Sequence, residues 1–294
     1  MIDKILWASD GSKDSIQTLR YAEILAKKFK TEILGLYVIP DCFERIVGKF
    51  PLDEKDKLIE WIEEIESKER ERVEDIARNF LEDIARDFNE KGITFRIEIG
   101  RGIPHKEILR IAYKEKADLI ALGRGIPTEK SILGGTVLKV LRRSSLPILT
   151  AREGGKSLDI RRILIPMDIS HEVSKSLKYA VELSKEFSAT IYLLNIVEVG
   201  NCNFSVELIE QIRELSFRKI EENITRLKIK ESIETCVEVA RNAWMGIVKF
   251  ANERGIDLIV MMTYGGKRIK EDFIGSVAEK VIQEASCPVI TMKP

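Results

Sequence analysis

The sequence predicts an α/β protein written twice, each copy a parallel β-sheet with helices on both faces. Three observations predict it. A long segment near the start returns in the middle of the chain. Strands alternate with amphipathic helices in both copies. The strands themselves are near-continuous apolar runs, as in a sheet buried on both sides. "ILWASDGSKDSIQTLRYAEILAKKF" (5–29) recurs as "ILIPMDISHEVSKSLKYAVELSKEF" (163–187). Asp10 aligns with Asp168, Ser12 with Ser170, Leu19 with Leu177, Tyr21 with Tyr179 and Phe29 with Phe187, all 158 residues apart. "ADLIALG" then matches "IDLIVMM" at an offset of 139, and "LPILT" matches "CPVIT" at 141. The first copy therefore carries 19 extra residues in its middle, and the second carries 2 extra near its end.

An apolar strand opens each copy ("KILWAS", "RILIPM"), and an amphipathic helix follows. Leu19, Ala22, Ala26 and Phe29 share a face at helical spacing, as do Leu177, Ala180, Ser184 and Phe187 with one polar exception. Next come a second strand ("TEILGLYV", "ATIYLLNI"), a charged helical region, a third strand ("TFRIEIG", "ETCVEVA") and a helix. The buried strand "DLIAL" or "DLIVM" leads through a loop to the last helix, and a final strand follows Pro147 or Pro288. The stretch "EGGKSLD" reads as a linker. The expected organisation is one domain over 1–152 with a helical insert at about 53–90, a linker over 153–159, and a second domain over 160–294. In the insert, Val73, Ile76, Ala77, Phe80, Ile84 and Phe88 form an apolar stripe opposite Glu, Arg, Lys and Asp. That pattern predicts an extended helix or helical pair with a solvated, ion-paired face; a platform for another protein is the sharper reading of the same stripe.

Composition narrows the function. The 294 residues hold 48 basic and 48 acidic side chains, so the electrostatic footprint of a nucleic-acid binder is missing. The longest apolar run, "LIVMM" (258–262), is too short to span a bilayer, and the amino terminus enters an apolar-polar pattern at once. A cytoplasmic protein with neither nucleic acid nor membrane as partner is expected. The four cysteines (Cys42, Cys202, Cys236, Cys287) form no C-x-x-C pair, and with two histidines a zinc site is not expected. Such cysteines are expected to be small buried hydrophobes. His105 and His171 stand at or just before helix starts with no acid or nucleophile beside them, and are expected on the surface.

In an open parallel sheet, ligands sit beyond the carboxyl ends of the strands. Three loops per copy reach that edge. The first carries Asp10-Gly11-Ser12 or Asp168-Ile169-Ser170, the second follows Val38 or Ile196, and the third joins the penultimate strand to the last helix. The third loop reads "MMTYGGKRIKEDFIGSVAEKVI" in the second copy, with Gly265, Gly275 and Ser276 at the helix start. Glycine there admits a phosphate to the backbone, serine offers a hydroxyl, and the helix start supplies free N–H groups. The first copy reads "LGRGIPTEKSILGGTVLKVL", with Gly123, Gly125, Gly134, Gly135 and Thr136 in a loop two residues shorter. Turn and helix-cap chemistry is the competing account of those glycines. Lys267, Arg268, Lys270, Arg124 and Lys130 lie in these loops and read as solvated charges or as phosphate partners.

With these motifs in place, the chain resembles the universal stress protein family in tandem. The strand-1 "D-x-S", the second-strand valine, "DLIVM", the G-x9-G-S loop and the closing "CPVI" strand carry the resemblance over nearly the whole chain. It implies a five-stranded Rossmann-like fold in 3-2-1-4-5 order, with AMP or ATP bound by a G-x2-G-x9-G-(S/T) loop in many members, while others have lost that loop and bind no nucleotide. Carried over, Asp168, flanked by Pro166 and Met167, and the backbone of Ile196 face adenine, while Gly265, Gly275, Ser276 and Val277 hold ribose and phosphates. Met262 replaces the first loop glycine. In the first copy Asp10, Val38, Gly123 and Gly134 correspond, Gly135 stands where the hydroxyl residue belongs, and Thr136 offers a hydroxyl one position on. The second copy ranks first as the site. By the same resemblance the apolar closing strands pair across the two copies, an intrachain pseudo-dimer, and two chains forming a homodimer is a further expectation.

The segment "ASDGSKDS" (8–15) also invites comparison with the S-G-G-x-D-S loop of adenylating enzymes. An Asp stands where that loop needs Gly, and the copy "MDISHEVS" keeps Asp and Ser but no glycine. The segment is therefore expected to be an Asp-bearing turn with Ser12 as a helix N-cap. The function expected is a nucleotide-binding regulatory or stress-response protein acting on an unidentified protein partner, with AMP or ATP, the latter with Mg2+, as ligand. Its rivals are a slow ATPase or phosphotransferase on the same loop, and an interaction module that binds no nucleotide.

Overall fold

A computed structural model of the chain describes residues 2–40, 55–125, 133–154, 159–168, 174–202, 204–227, 233–263 and 273–294, with the backbone alone at 55–70, 174, 223, 226 and 227. The first half runs β1 (Lys4–Ser9), α1 (Lys13–Phe29), β2 (Glu32–Pro40), α2 (Lys55–Glu90), β3 (Phe95–Gly102), α3 (Pro104–Lys114), β4 (Leu119–Gly123), α4 (Gly135–Arg143) and β5 (Ile148–Ala151). The second runs β6 (Arg162–Met167), α5 (Ser174–Phe187), β7 (Thr190–Glu198), α6 (Val206–Leu227), β8 (Ile233–Ala240), α7 (Ala243–Glu253), β9 (Leu258–Met262), α8 (Ser276–Glu284) and β10 (Val289–Met292).

All ten strands join one sheet in the order β3-β2-β1-β4-β5-β10-β9-β6-β7-β8. Each half thus has the 3-2-1-4-5 order, and its strands pair in parallel. The halves meet where β5 and β10 pair antiparallel, with Thr150 opposite Val289, Leu149 opposite Ile290 and Ile148 opposite Thr291. Residues 148–150 align with 289–291, so Leu149 faces its own counterpart and an approximate twofold axis passes between the two. These strands are apolar because nothing reaches water there: Leu149 is 1% exposed and Ile290 0%. The axis also brings the counterparts Phe29 and Phe187 edge to face at 6.3 Å, joining α1 to α5.

Helices α1, α2, α5 and α6 pack one face of the sheet and α3, α4, α7 and α8 the other; both apolar layers run through both halves. The repeated Asp118 and Asp257 anchor the amino ends of the first strands. Asp118 Oδ2 accepts from the Asp3 and Lys4 N–H groups at 2.8 and 3.0 Å, and Asp257 Oδ2 accepts from Arg161 and Arg162 at 2.9 Å each. Trp7, buried on β1, donates its Nε1 proton to the Ser15 carbonyl at 2.8 Å, which fixes α1 over the sheet.

The insert is a single helix of 36 residues, about 54 Å long against roughly 30 Å for a nine-residue strand. Its buried line is Ala77, Leu81 and Phe88, with Ile84 half-buried between the last two, at spacings of four and three. Ile76, expected in the stripe, is 60% exposed, because it lies about 100° round the helix from Ala77. Cysteine burial also departs from expectation: Cys287 is buried, Cys236 half-buried and Cys202 exposed, while Cys42 lies outside the described residues. Cys202 sits in the loop beyond β7, its N–H donating to the Val199 carbonyl at 3.1 Å. Among the described residues no helix is long and apolar enough to cross a membrane.

Because the core crosses the seam, truncating it should weaken both halves together. Leu149→Ala is expected to cost about 2–4 kcal/mol and to keep a single unfolding transition in denaturant titration. Two separated transitions in the wild-type chain would show that the halves fold independently.

Candidate functional site

At the carboxyl edge of the first half, Asp10 ends β1, exposed, and its Oδ1 accepts from the Ser12 N–H at 3.0 Å. Ser12 caps α1, its Oγ accepting from Ser15 N–H at 3.2 Å, and Ser15 Oγ returns a bond to the Ser12 carbonyl at 2.8 Å. The segment 8–15 is thus an Asp-bearing turn into a capped helix, as its sequence predicts. Its free N–H groups are largely closed by its own side chains.

The helices α4 and α8 begin differently. Their N-caps are Gly134, at φ −56° and ψ 140°, and Gly275, at φ −67° and ψ 143°, neither with a side-chain cap. Each cap N–H donates to the carbonyl one residue beyond the preceding strand: Gly134 to Arg124 at 3.0 Å, Gly275 to Thr263 at 2.8 Å. The same closure in both halves leaves the first turn of each helix with backbone donors and no capping side chain, beside the positive end of the helix dipole. That is anion-binding chemistry. Gly135 and Ser276, the first residues of the two helices, are exposed; Thr136 and Val277 behind them are half-buried.

Three of the first-half glycines have reasons in the packing itself. A Cβ on Gly123 would lie 2.5 Å from Ser15 N, so this glycine lets the start of α1 settle on β4. Gly125, at φ +71°, and Gly134 pack backbone to backbone, a Cβ on Gly134 falling 2.9 Å from Gly125 Cα. Gly135 alone of the four faces open space, with nothing within 4 Å of a Cβ. In the second half Met262, half-buried, stands where Gly123 has no side chain. Asp168 is exposed at the end of β6, beyond half-buried Pro166 and buried Met167, whose carbonyl accepts from Asn195 Nδ2 at 3.1 Å. Val38 and Ile196 lie half-buried on β2 and β7. Gly265, Lys130, Lys267, Arg268, Lys270 and His171 lie outside the described residues.

Two residues belong elsewhere than the sequence suggests. Arg124 is 4% exposed, neither a solvated charge nor aimed at the loop. It crosses the seam and donates from Nη1 to the Gln283 carbonyl at 2.8 Å and from Nη2 to the Cys287 carbonyl at 3.3 Å. Burial, with repulsion from Arg152, lowers its guanidinium to about 10, still a cation at neutral pH. His105, expected on the surface, is 6% exposed at the start of α3. Arg143 Nη1 lies 2.8 Å from its Nε2. Arginine can only donate, so Nε2 carries the lone pair and the ring is neutral. Burial, then the charges of Lys139, Arg143 and Lys106, hold this histidine below its ordinary range. Periodicity could have found it, since Ile108 and Ala112 on the same face of α3 are also buried.

The fold and these uncapped helix starts define a tandem α/β protein with two related sheet edges, each carrying a helix that begins without a side-chain cap. Comparison with known proteins places it. The universal stress protein family model matches residues 1–152 and again 159–293, and the chain belongs to that family as a tandem member. A universal stress protein of Methanocaldococcus jannaschii is 32% identical over 142 residues, covering 45% of this chain and 82% of its own length. One from Synechocystis is 25% identical over 302 residues, covering 98% of this chain and 99% of its own. The crystal structure of a universal stress protein from Archaeoglobus fulgidus, 22% identical, superposes over 99% of this chain and 96% of its own with a TM-score of 0.67, so the whole two-half fold is shared.

The turn and the histidine make separate predictions. Asp10→Ala removes one turn bond, so a loss of about 1 kcal/mol with an unchanged circular dichroism spectrum is expected; collapse of the melting profile would make Asp10 structural. For His105 the neutral form is favoured by folding. Its contribution is therefore complete above the unfolded value near 6.5 and is lost as pH falls below it. The wild-type melting midpoint should drop more steeply than that of His105→Asn between pH 7 and pH 5, and parallel curves would refute the assignment.

Proposed function

We propose that the chain binds an adenine nucleotide at the carboxyl edge of its sheet, principally in the second half, and passes the occupied state to a protein partner in the cytoplasm. One observation carries the reading: α8 starts without a side-chain cap at Gly275, with the Ser276 hydroxyl exposed beside its free backbone donors. Membership of the family supports the ligand class. Asp168 and the backbone of Ile196 then face adenine, and Gly265, Gly275, Ser276 and Val277 take ribose and phosphates. Met262, with a side chain where the first half has Gly123, lies against the ribose and favours AMP, whose single phosphate needs fewer donors. ATP would bring Mg2+ on its own phosphates. The first half offers Asp10, Val38, Gly135 and Thr136, in a loop whose other glycines, Gly123, Gly125 and Gly134, also serve packing.

Binding, not turnover, is the activity proposed; ADP forming in proportion to protein would favour a slow ATPase instead. Calorimetric titration of nucleotide-stripped protein with AMP, and with ATP plus magnesium, tests the reading. One or two sites per chain are expected. Gly275 has φ −67° and ψ 143°, a conformation open to valine. Gly275→Val should therefore weaken binding about a hundredfold or more while the melting midpoint stays within a few degrees. No heat with either nucleotide, and no rise in midpoint with excess ligand, would leave the interaction module.

A further inference from the structure

Arg124 is positioned to join the two edges. Its carbonyl accepts from Gly134 N–H at the start of α4, and its side chain donates to the Gln283 carbonyl in the last turn of α8 and to the Cys287 carbonyl three residues beyond that helix. The residue that closes the first-half loop is thus the one that caps the last turn of the second half's phosphate helix. That helix has nine residues, too short to hold itself in water. Its place depends on packing and on what holds its ends, and a cation at the carboxyl end also complements the helix dipole.

The link is one-sided. Thr263 occupies the matching place in the second half, with the same backbone closure to Gly275. Its side chain is too short to cross the seam, and its buried Oγ1 has no hydrogen-bond partner. Arg124 Nε and Gln283 Oε1, on the two sides of the bonded contact, are also buried without partners, so this junction is held by the two guanidinium bonds to carbonyls.

We infer that the start of α4 at Gly134, in the first half, controls the ordering of α8 in the second half, with Arg124 as the connecting group. A change at Gly134, whose N–H donates to the Arg124 carbonyl, moves the Arg124 main chain, the guanidinium follows, and the carboxyl end of α8 is loosened or held. Resting on the nucleotide reading, this makes the first-half loop the regulatory edge for the principal site. By linkage, ligand at either edge then alters affinity at the other by one common factor.

A double-mutant cycle read by amide hydrogen exchange tests the link without any nucleotide. In Gly134→Ala the new Cβ would meet the Gly125 backbone at 2.9 Å, so the loop must shift. Exchange at the amides of residues 280–284 should quicken about fivefold or more in Gly134→Ala, and likewise in Arg124→Met. Adding Gly134→Ala to Arg124→Met should then change little. Should Arg124→Met fail to fold, Arg124→Lys replaces it, with a smaller but still non-additive effect. Unaltered exchange at α8 in Gly134→Ala, or the same increment with and without Arg124, overturns the link. Titration of the same proteins with AMP, and with ATP plus magnesium, separates the two claims. A wild type that binds neither AMP nor ATP with magnesium but shows the non-additive exchange keeps the link and refutes the nucleotide reading. Binding with additive exchange does the reverse.

Discussion

Antiparallel pairing of β5 with β10 is the constraint on which the rest of the molecule depends. Either half alone would end in an apolar edge strand with open N–H and C=O groups, a template for association. Here each edge is covered by the counterpart of itself, Leu149 against Ile290. The approximate twofold then fixes everything further out: Phe29 meets Phe187, α1 meets α5, and two five-stranded sheets become one of ten. The same axis brings α8 within reach of Arg124. The Arg124 contact across the seam exists only because the closing strands pair where they do.

At each edge, a carboxylate ends the first strand and a short helix starts without a cap. The two halves share this plan but spend their polar groups differently. In the first, Gly123, Gly125 and Gly134 let backbone pack on backbone, and the adjacent Arg124 is drawn inward to the neighbouring half. In the second, Met262 and Thr263 stand at those places, neither reaching across. The uncapped start with an exposed hydroxyl is therefore at Gly275 and Ser276, while the first half gives part of its loop to the seam.

The fold was legible because the sequence repeats itself. An offset constant over 25 residues and a strand rich in Ile, Leu and Val leave few topologies, and the strand order follows the family resemblance. The capped turn at Ser12 was legible too, since an Asp and a Ser at a helix start have one common use. What sequence hid was partner choice across long separations. Arg124 reads as a loop charge because its acceptors lie 159 and 163 residues away and are main-chain carbonyls, which no residue type announces. His105 reads as a surface histidine because its partner, Arg143, belongs to another helix. Leu81 took the place of Ile76 in the buried line of α2 because the sheet, not the helix, selects which face is used.

Covalent duplication has a consequence for how such a protein can change. A dimer of identical chains must accept every substitution on both sides of its axis, so an arginine crossing the axis would arrive twice, with like charges brought toward the same seam. In a chain that carries both halves, each side mutates alone. Arg124 opposite Thr263, and Gly123 opposite Met262, are differences that a symmetric assembly could not hold. Fusion has turned an axis of identity into a junction between unequal parts, and one gene can give the two edges different residues.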